Sequence, residues 1–291
     1  MLAVIVPTVH PSRGEVYKRF MESWSDLFLK HDVYLITIYD GEEPQILTSD
    51  GHEDSAETLL GTDSDLIYNR TTAVKNLGLA YFMKRTEIEN VLILDDDVRP
   101  IGDPIADHLK IIGQKTPLSW MTTMYPYPRG MPYKVRDEAT VTVSHGVWEG
   151  VPDLDAPTQL VNGVTDYSFP QFIVPKSTLI PFCGMNVMLS RQAVPYLYFA
   201  PPWSAEGEVM NRNDDIWGGI MLKRSLDDTN QAMATGYSKI LHERASNVYD
   251  SLIREALFIK LNETFFEGDV SHPYFQEYLN KAERWQKLWQ P

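Results

Sequence analysis

The chain has 291 residues, enough for one large α/β domain or two small ones, and its 43% hydrophobic and 23% charged content is ordinary for a soluble globular protein. The formal net charge of −14 argues against a broad basic surface for nucleic acid, although a bound metal ion can still admit a nucleotide locally. No run of about 18 apolar residues occurs, so we expect no membrane span.

The cysteine content and the start of the chain bear on the compartment. Cys183 is the single cysteine, so it has no partner for an internal disulfide, which fits a reducing compartment. Residues 1–7 lack a basic region and are too short for a signal peptide, so they predict a first buried strand. We therefore expect a cytoplasmic protein in which the glycosylation sequons at Asn69 and Asn262 match by chance.

The first forty residues are typical of a βαβ unit. Strand-like runs at residues 2–6 and 33–39 flank a segment whose apolar residues recur at spacings of three and four, which predicts a helix. Its apolar face comprises Val16, Phe20, Trp24, Leu27 and Phe28. Ser12 and Glu15 predict a capping box before that helix. Two strands joined through a helix imply a parallel pair.

An acidic run directly follows another apolar run. Residues 91–94 are apolar and suit a strand buried on both faces of a sheet, and the next three residues are Asp95, Asp96 and Asp97. Ligands of open α/β sheets bind at the carboxyl ends of the strands. Adjacent carboxylates repel one another, and Mg²⁺ offsets that cost because it binds one or two carboxylates together with substrate phosphates. A solvated acidic turn is the alternative.

Polar residues at two other element ends suggest ligand contacts. Asp40 ends the second strand and precedes Gly41, which indicates either a hydrogen bond to a nucleobase or ribose, or an ordinary Asp-Gly turn. A helix is predicted from residue 71 to 83. Near its start, Arg70 and Lys75 could reach a phosphate or lie on the surface as solvated charges.

The remaining segments complete an α/β fold with a mostly parallel central sheet, helices on both faces and C-terminal helices. We predict a loop at 41–64, short strands at 65–68 and 118–125, a helix at 101–113, an irregular segment at 126–141, and helices after residue 247. The aromatic residues of the last helix recur at helical spacing, which indicates core or an oligomer contact. Residues 1–247 form the predicted catalytic domain and residues 248–291 a helical extension packed on it.

Several ordered motifs in the second half resemble a known family. They are SHGVW at 144–148, PDLDAPTQLV at 152–161, PFCGMN at 181–186, RNDDIWGG at 212–219 and HERASN at 242–247. With them the chain resembles the reversibly glycosylated polypeptides, or UDP-arabinopyranose mutases, over most of its length. The resemblance implies a GT-A-like glycosyltransferase fold, a UDP-sugar substrate, and the interconversion of UDP-arabinopyranose and UDP-arabinofuranose with Mn²⁺ or Mg²⁺.

The same resemblance implies a ligand set. Asp97 matches the carboxylate that holds the metal, Asp95 is expected to contact metal and ribose, and His242 fits the late histidine that completes the metal shell. The residues expected at the nucleotide-sugar are Thr8, Asp40, Arg70, Lys75, Asp95, Asp96, His145, Gly146, Trp148, Gly184, Asn186 and Trp217, the last by packing on a sugar face. For His145, a hydrogen-bonded structural histidine is the alternative.

Three residues are expected to be catalytic. Asp214 and Asp215 are candidates for the anion beside an oxocarbenium-like sugar. Arg136 lies eight residues before Ser144, where the family has its reversibly glycosylated arginine. Because guanidinium stays protonated, a phosphate clamp is the alternative role for Arg136.

Other residues carry open alternatives. Asp153 and Asp155 predict either turn hydrogen bonds or substrate contacts, and Cys183 is expected to be a small buried residue. The chain departs from the family at Asn213, where the family has a tyrosine, and such changes fall near the sugar pocket. Two other functions are therefore considered: a metal-dependent glycosyltransferase, and a non-enzymatic sugar-nucleotide-binding partner. We expect no nucleic-acid partner, and assembly as a homo- or hetero-oligomer is open.

Overall fold

The computed structural model describes residues 1–9, 14–136, 138–151, 153–162, 170–205, 208–210, 212–243 and 247–290. Its strands are β1 (Leu2–Thr8), β2 (Val33–Tyr39), β3 (Gln45–Thr48), β4 (Glu53–Ser55), β5 (Asn90–Leu94), β6 (Val98–Pro100), β7 (Lys115–Thr116), β8 (Ala139–Gly150), β9 (Phe172–Ile173), β10 (Asn186–Ser190), β11 (Trp203–Ala205), β12 (Glu208–Met210) and β13 (Gln231–His242).

The α-helices are α1 (Glu15–Lys30), α2 (Ala56–Leu60), α3 (Lys75–Lys84), α4 (Pro104–Ile111), α5 (Ala156–Asn162), α6 (Asp214–Asp228), α7 (Val248–Phe266) and α8 (Pro273–Trp289). Short 3₁₀ helices cover Gly61–Leu66, Thr72–Val74, Tyr133–Val135 and Arg191–Tyr196. No helix that the described residues form is both long and apolar enough to cross a membrane.

The central sheet is mixed, so the prediction of a mostly parallel sheet is confirmed only in part. Its strand order is β4-β3-β2-β1-β5-β10-β8-β13-β6, with β7 on β8 and β9 on β13. Within the described ranges only β1–β2, β1–β5 and β8–β13 are parallel. β10 pairs antiparallel with both β5 and β8, because it begins level with Leu94 at the carboxyl end of β5 and runs back. Buried parallel and antiparallel strands both read as apolar runs, so strand direction was hidden in the sequence.

Helices cover both faces of this α/β sheet, as predicted. On one face, the α1 residues Phe20, Trp24 and Phe28 pack in a cluster that includes Leu2, Val4 and Val6 of β1. The other face carries the largest cluster, to which α3, α6 and α8 contribute. The side chains of β1 alternate between the two clusters, because successive residues of a strand point to opposite faces.

The C-terminal helices form part of the main core. Phe275, Tyr278 and Trp285 of α8 are fully buried and belong to the largest cluster. The regular spacing of these aromatic residues therefore reflects packing in the core. The division of the chain at residue 247 stays a prediction.

Several predicted elements differ in the structure. Residues 41–64 are not one loop, since they contain β3, β4 and α2. Residues 65–68 form no strand and instead end a 3₁₀ helix at Leu66. The predicted helix at 101–113 is shorter, because Asp103 caps α4 by accepting the Ala106 amide hydrogen bond at 2.9 Å.

Two more predictions fail for local reasons. The strand expected at 118–125 is absent: Trp120 and Met121 are exposed, and the segment joins no sheet. α1 begins after Gly14, which has no side chain that could cap the helix. Glu15 pairs with Arg19 at 3.4 Å and is not part of a capping box. Ser12 lies outside the described residues.

Candidate active site

A cleft of about 390 Å³ opens at the carboxyl end of β5 and brings together many of the predicted site residues. Its charged and polar lining is Thr72, Lys75, Asp95, Asp97, Asp153, Asp155, Arg212, Asn213, Asp214, Asp215, His242, Glu255 and Asn262. Seven of these side chains are carboxylic acids. Such a concentration of negative charge needs bound cations or protons to hold it together.

Lys75 forms a buried ion pair with the first carboxylate of the acidic run. Its side chain is only 2% exposed, and its Nζ lies 2.5 Å from Asp95 Oδ1. The same Nζ donates a hydrogen bond to the Gly184 carbonyl at 3.0 Å. Burial lowers the pKa of Lys75, but the adjacent Asp95 carboxylate outweighs it and the net pKa is raised. The interpretation of Lys75 as a solvated surface charge is therefore wrong.

Asp97 and His242 face each other across the cleft. His242 Nε2 lies 3.8 Å from Asp97 Oδ2, and its Nδ1 donates a hydrogen bond to the Val151 carbonyl at 3.0 Å. This bond fixes the neutral tautomer that turns the Nε2 lone pair toward Asp97. Burial lowers the pKa of His242, but the Asp97 carboxylate and the Val151 carbonyl outweigh it, so the net pKa is raised.

This pair fits a divalent cation that is also held by substrate. Among the described side chains, no group of three or more His, Cys, Asp or Glu could hold a metal ion. Two atoms each about 2.1 Å from one ion can stand up to about 4.2 Å apart, and Asp97 and His242 satisfy that limit. Mg²⁺ binds through one or two carboxylates with phosphates and water. Asp95, whose Oδ1 is paired with Lys75, borders the same cleft.

Asp214 and Asp215 open α6 and are held differently. Asp215 Oδ2 accepts a hydrogen bond from the Gly184 amide and its Oδ1 one from the Ile216 amide, both at 2.9 Å. Asp214 Oδ1 accepts the Asp215 amide hydrogen bond at 3.2 Å. Burial raises the pKa of Asp214 to about 6, and burial with the neighbouring Asp214 charge raises that of Asp215 to about 7.

Gly184 links these two features. Its carbonyl accepts from Lys75 and its amide donates to Asp215. A Cβ added there would lie 2.9 Å from the Phe199 ring and 3.3 Å from Asp215 Cβ. The backbone of Gly184 thus holds both Lys75 and Asp215 in place. The position has little room for a larger residue, because an added Cβ would crowd Phe199 and Asp215.

Asp40 and Arg70 lie at a second cavity, which is also lined by Val9, Tyr39, Gly41 and Glu42. The Asp40 amide donates to the Thr8 carbonyl at 2.8 Å, and Asp40 Oδ1 accepts from the Arg70 amide at 2.6 Å. Burial raises the pKa of Asp40. Asp40 therefore ties the end of β2 to the distant Arg70 and also borders a cavity, and Thr8 takes part through its backbone.

Asp96 lines a neighbouring cavity of about 340 Å³ rather than the main cleft. The charged residues around it include Arg19, Asp97, Arg99 and Glu243. Arg99 and Glu243 pair at 2.7 Å. Asp96 therefore lines a different cavity from Asp95, and Asp97 borders both.

Four predicted contact residues are parts of the core. Trp217 is fully buried among Phe265, Tyr274 and Phe275, and its Nε1 donates to Asn262 at 2.7 Å, so the predicted sugar packing is wrong. The other three are His145, Gly146 and Asn186, which fill the space between β8 and β10.

For His145 the structural alternative fits. Its Nε2 accepts the Cys183 amide at 3.2 Å, so Nδ1 donates to Thr235 Oγ1 at 2.9 Å, and no ring nitrogen is left for a ligand. Burial lowers the pKa of His145 to about 3. A Cβ on Gly146 would lie 2.0 Å from Asn186 Nδ2. The half-buried Trp148 contacts the His145 ring edge-on and is not part of the cleft lining.

Arg136 lies at the opposite edge of the sheet from the cleft. Its Nη2 donates to the Met131 carbonyl at 2.9 Å, and its guanidinium lies 3.9 Å from the Tyr133 ring centroid. β8 starts just after Arg136 and ends at the cleft edge, so at about 3.3 Å per residue its twelve residues separate the two by roughly 35 Å. The structure therefore contradicts a catalytic or clamping Arg136 in the cleft of its own chain.

Some cleft residues were missed or left open. Asp153 borders Asp215 and raises its pKa. Asp155 caps α5 by accepting the Thr158 amide at 2.9 Å, so its turn role is real although it also lines the cleft. Arg212 lay within a quoted motif. Glu255 of α7 had no sequence pattern to mark it; its carboxylate accepts the Ala156 amide at 2.6 Å and ties α7 to α5.

The sequence comparisons with known proteins indicate one protein family. The family described as "Reversibly glycosylated polypeptide" matches residues 2–289. "UDP-arabinopyranose mutase 3" of Arabidopsis thaliana is 28% identical over 94% of this chain and 77% of its own length. "UDP-arabinopyranose mutase 1" of Oryza sativa subsp. japonica is 29% identical over the same shares. Among solved structures, "Crystal Structure of A197 from STIV" covers 84% of this chain and 86% of its own at 9% identity, with a TM-score of 0.36.

Proposed function

This chain belongs to the reversibly glycosylated polypeptide family, and we propose that it is a mutase that interconverts UDP-arabinopyranose and UDP-arabinofuranose. The cleft at the carboxyl end of β5 carries the proposal, because it joins the acidic run to Lys75 and to the carboxylates of α6. Relatives that match most of this chain bear the name UDP-arabinopyranose mutase. We further propose that the fold is of the GT-A type, with Asp95-Asp96-Asp97 as its acidic motif.

The diphosphate is proposed to bind near Asp97 and His242. These two residues would hold Mn²⁺ or Mg²⁺, which supplies positive charge to the departing diphosphate. Lys75, charged and fixed by Asp95 and Gly184, places a second positive charge beside the same cleft. The base and ribose are assigned to the cavity of Asp40 and Arg70.

The sugar is proposed to lie against the start of α6. Bond cleavage at C1 leaves an oxocarbenium-like sugar that an adjacent anion stabilises. Asp215 suits this role because two amide hydrogen bonds fix its carboxylate before the reaction begins. Donors elsewhere in the cleft, such as Arg212 and Asn213, can bind the sugar hydroxyls.

The decisive experiment uses purified protein, UDP-arabinopyranose and Mn²⁺ without any acceptor. We expect UDP-arabinofuranose to accumulate to a fixed ratio, followed by chromatography, and the same ratio when the reaction starts from UDP-arabinofuranose. A requirement for an acceptor, with a glycoside product of unchanged ring size, would show a glycosyltransferase instead. Metal-dependent UDP binding without any product would show a non-enzymatic binding partner.

A cytoplasmic location and assembly with further chains belong to the same proposal. The lone Cys183 is buried, which supports a reducing compartment. Fractionation of cells and size-exclusion chromatography of the purified protein test these two points.

A further inference from the structure

The proposed ring interconversion must move a proton as well as a bond. After the C1–O bond to UDP has broken, O4 forms a new bond to C1, the C1–O5 bond breaks with its electron pair going to O5, and the diphosphate bonds to C1 again. The proton on O4 must therefore leave, and a proton must arrive at O5. UDP ends on C1 as it began, so nothing is oxidised or reduced. One cleft group that accepts the first proton and returns it to O5 would balance the reaction.

Asp214 has the free oxygen that this proton needs. The residue is 4% exposed and lines the cleft, and its Oδ1 already accepts the Asp215 amide hydrogen bond. Its Oδ2 is buried and meets the geometry of a hydrogen bond with no other described residue, although the nearby Thr72 hydroxyl and amide stabilise the Asp214 carboxylate and lower its pKa. A buried carboxylate oxygen without a donor is costly, so a ligand hydroxyl or a proton is expected to fill this position.

The neighbouring residues of the same turn point toward a polyhydroxylated ligand. Asn213, also 4% exposed, has a buried Nδ2 without a partner, and Arg212 has a buried Nε without one, again among the described residues. Both side chains line the cleft beside Asp214. Two unfilled donors next to one unfilled acceptor match the alternating hydroxyl and ether oxygens of a sugar.

Asp215 cannot serve in the same way. Both of its oxygens already accept backbone amide hydrogen bonds, from Gly184 and Ile216, although burial and the Asp214 charge raise its pKa to about 7. Lys75 is likewise committed to Asp95 and Gly184. Among the two adjacent aspartates, Asp214 Oδ2 is therefore the oxygen that no backbone amide of the described residues holds.

We propose that Asp214 Oδ2 is the proton carrier of the ring exchange: it takes the O4 proton as O4 bonds to C1, and returns it to O5 as the C1–O5 bond breaks. This assignment rests on the proposed mutase function and adds to it a proton-transfer step. A glycosyltransferase using the same cleft would leave the C1–O5 bond intact, so no proton would have to be delivered to the ring oxygen.

The electrostatic setting favours reversible protonation near neutral pH. Burial raises the pKa of Asp214 to about 6, so both its forms are populated under ordinary conditions. The titratable and charged groups that face the aspartate pair are Lys75, Asp95, Asp97, Asp153, Asp155, Cys183, Arg212, His242, Glu255 and Tyr274.

The test compares Asp214→Ala with Asp228→Ala, which removes an exposed aspartate at the other end of the same helix. For Asp214→Ala we expect kcat for ring interconversion to fall at least a hundredfold, while KM and UDP affinity stay within about threefold. Formate should enter the vacated space and restore kcat at least tenfold. Asp228→Ala should match the wild type and show no formate effect.

Three outcomes would overturn the assignment. They are a kcat of Asp214→Ala within threefold of the wild type, a loss that formate does not restore, and a loss that appears in KM alone. Absence of ring interconversion in the wild type would instead refute the proposed function itself. The two failures are therefore distinguishable.

The wild type provides a second measurement that does not depend on a variant's folding. Asp214 must start each turnover ionised, so kcat at saturating substrate should fall as pH decreases through about 6. In Asp214→Asn the residual activity should lose this acid limb, because the neutral amide also removes the charge that helps to raise the pKa of Asp215. A wild-type kcat that stays flat between pH 5 and 8, or a limb that persists in Asp214→Asn, would refute the carrier.

Discussion

The two ends of the central strands differ in whether their polar side chains have hydrogen-bond partners within the chain. At the carboxyl end of β5, carboxylates converge on a cleft, and Asp214 Oδ2 has no partner among the described residues. At the far end of β8, Arg136 is occupied by the Met131 carbonyl and the Tyr133 ring. The cleft edge thus holds unfilled binding capacity, whereas Arg136 is already engaged by its own chain. The twelve residues of β8 separate Arg136 from the cleft.

The largest expected effect is at the metal position of the cleft edge. Asp97→Ala should abolish metal-dependent UDP binding, with affinity in Mn²⁺ falling at least a hundredfold, because the ion loses its carboxylate. His242→Ala should cost less, roughly tenfold, since one ligand of several is lost. Calorimetry with UDP and Mn²⁺ measures both. Unchanged affinity of Asp97→Ala, with a wild-type melting temperature, would place the metal elsewhere.

The buried ion pair should be the next most sensitive feature. Lys75→Met leaves Asp95 without its cation and should lower the free energy of unfolding by about 2 kcal/mol, less than for a fully buried pair because a third of the Asp95 side chain is exposed. Lys75→Met combined with Asp95→Asn should recover most of that loss. Lys110→Met breaks an exposed pair with Asp107 and should cost at most about 0.5 kcal/mol. Urea unfolding measures the free energy of unfolding of each variant. A loss for Lys75→Met no larger than that for Lys110→Met would show that the buried pair does not stabilise the fold.

A smaller effect is expected at the cavity of Asp40. If Asp40 binds the base or ribose, Asp40→Ala should raise KM about tenfold and leave kcat nearly unchanged, because ground state and transition state lose the same contact. Steady-state kinetics with UDP-sugar test this. A large fall in kcat at saturating substrate would show instead that the hydrogen bond from the Arg70 amide to Asp40 helps to position the reacting groups.

The smallest effect is expected at the opposite edge. Arg136→Ala should keep kcat within about threefold of the wild type, since roughly 35 Å of strand separate it from the cleft of its own chain. A fall of tenfold or more would mean that Arg136 of another copy reaches the cleft. Mixing Arg136→Ala protein with Asp97→Ala protein would then restore turnover, because one copy supplies the arginine and the other the intact cleft.

Much of the cleft was predictable because its residues follow local rules. Asp95 and Asp97 come after an apolar run, and strand ends of α/β sheets gather ligands. Asp214, Asp215 and His242 lay in ordered motifs that resemble the family. Glu255 could not be found in this way, because it reaches the cleft only through the packing of α7 on α5.

The sequence by itself determined the opening βαβ unit, the acidic end of β5 and the helices on both faces, since apolar periodicity within one element decides which side chains are buried. Only the tertiary structure decided that β10 runs antiparallel, which sends Arg136 and the cleft to opposite edges. It also decided that Trp217 and His145 are core residues, and that Lys75 is paired rather than solvated. Strand direction, and the burial of polar or aromatic side chains such as Lys75, His145 and Trp217, depend on contacts between distant segments rather than on the pattern of one element.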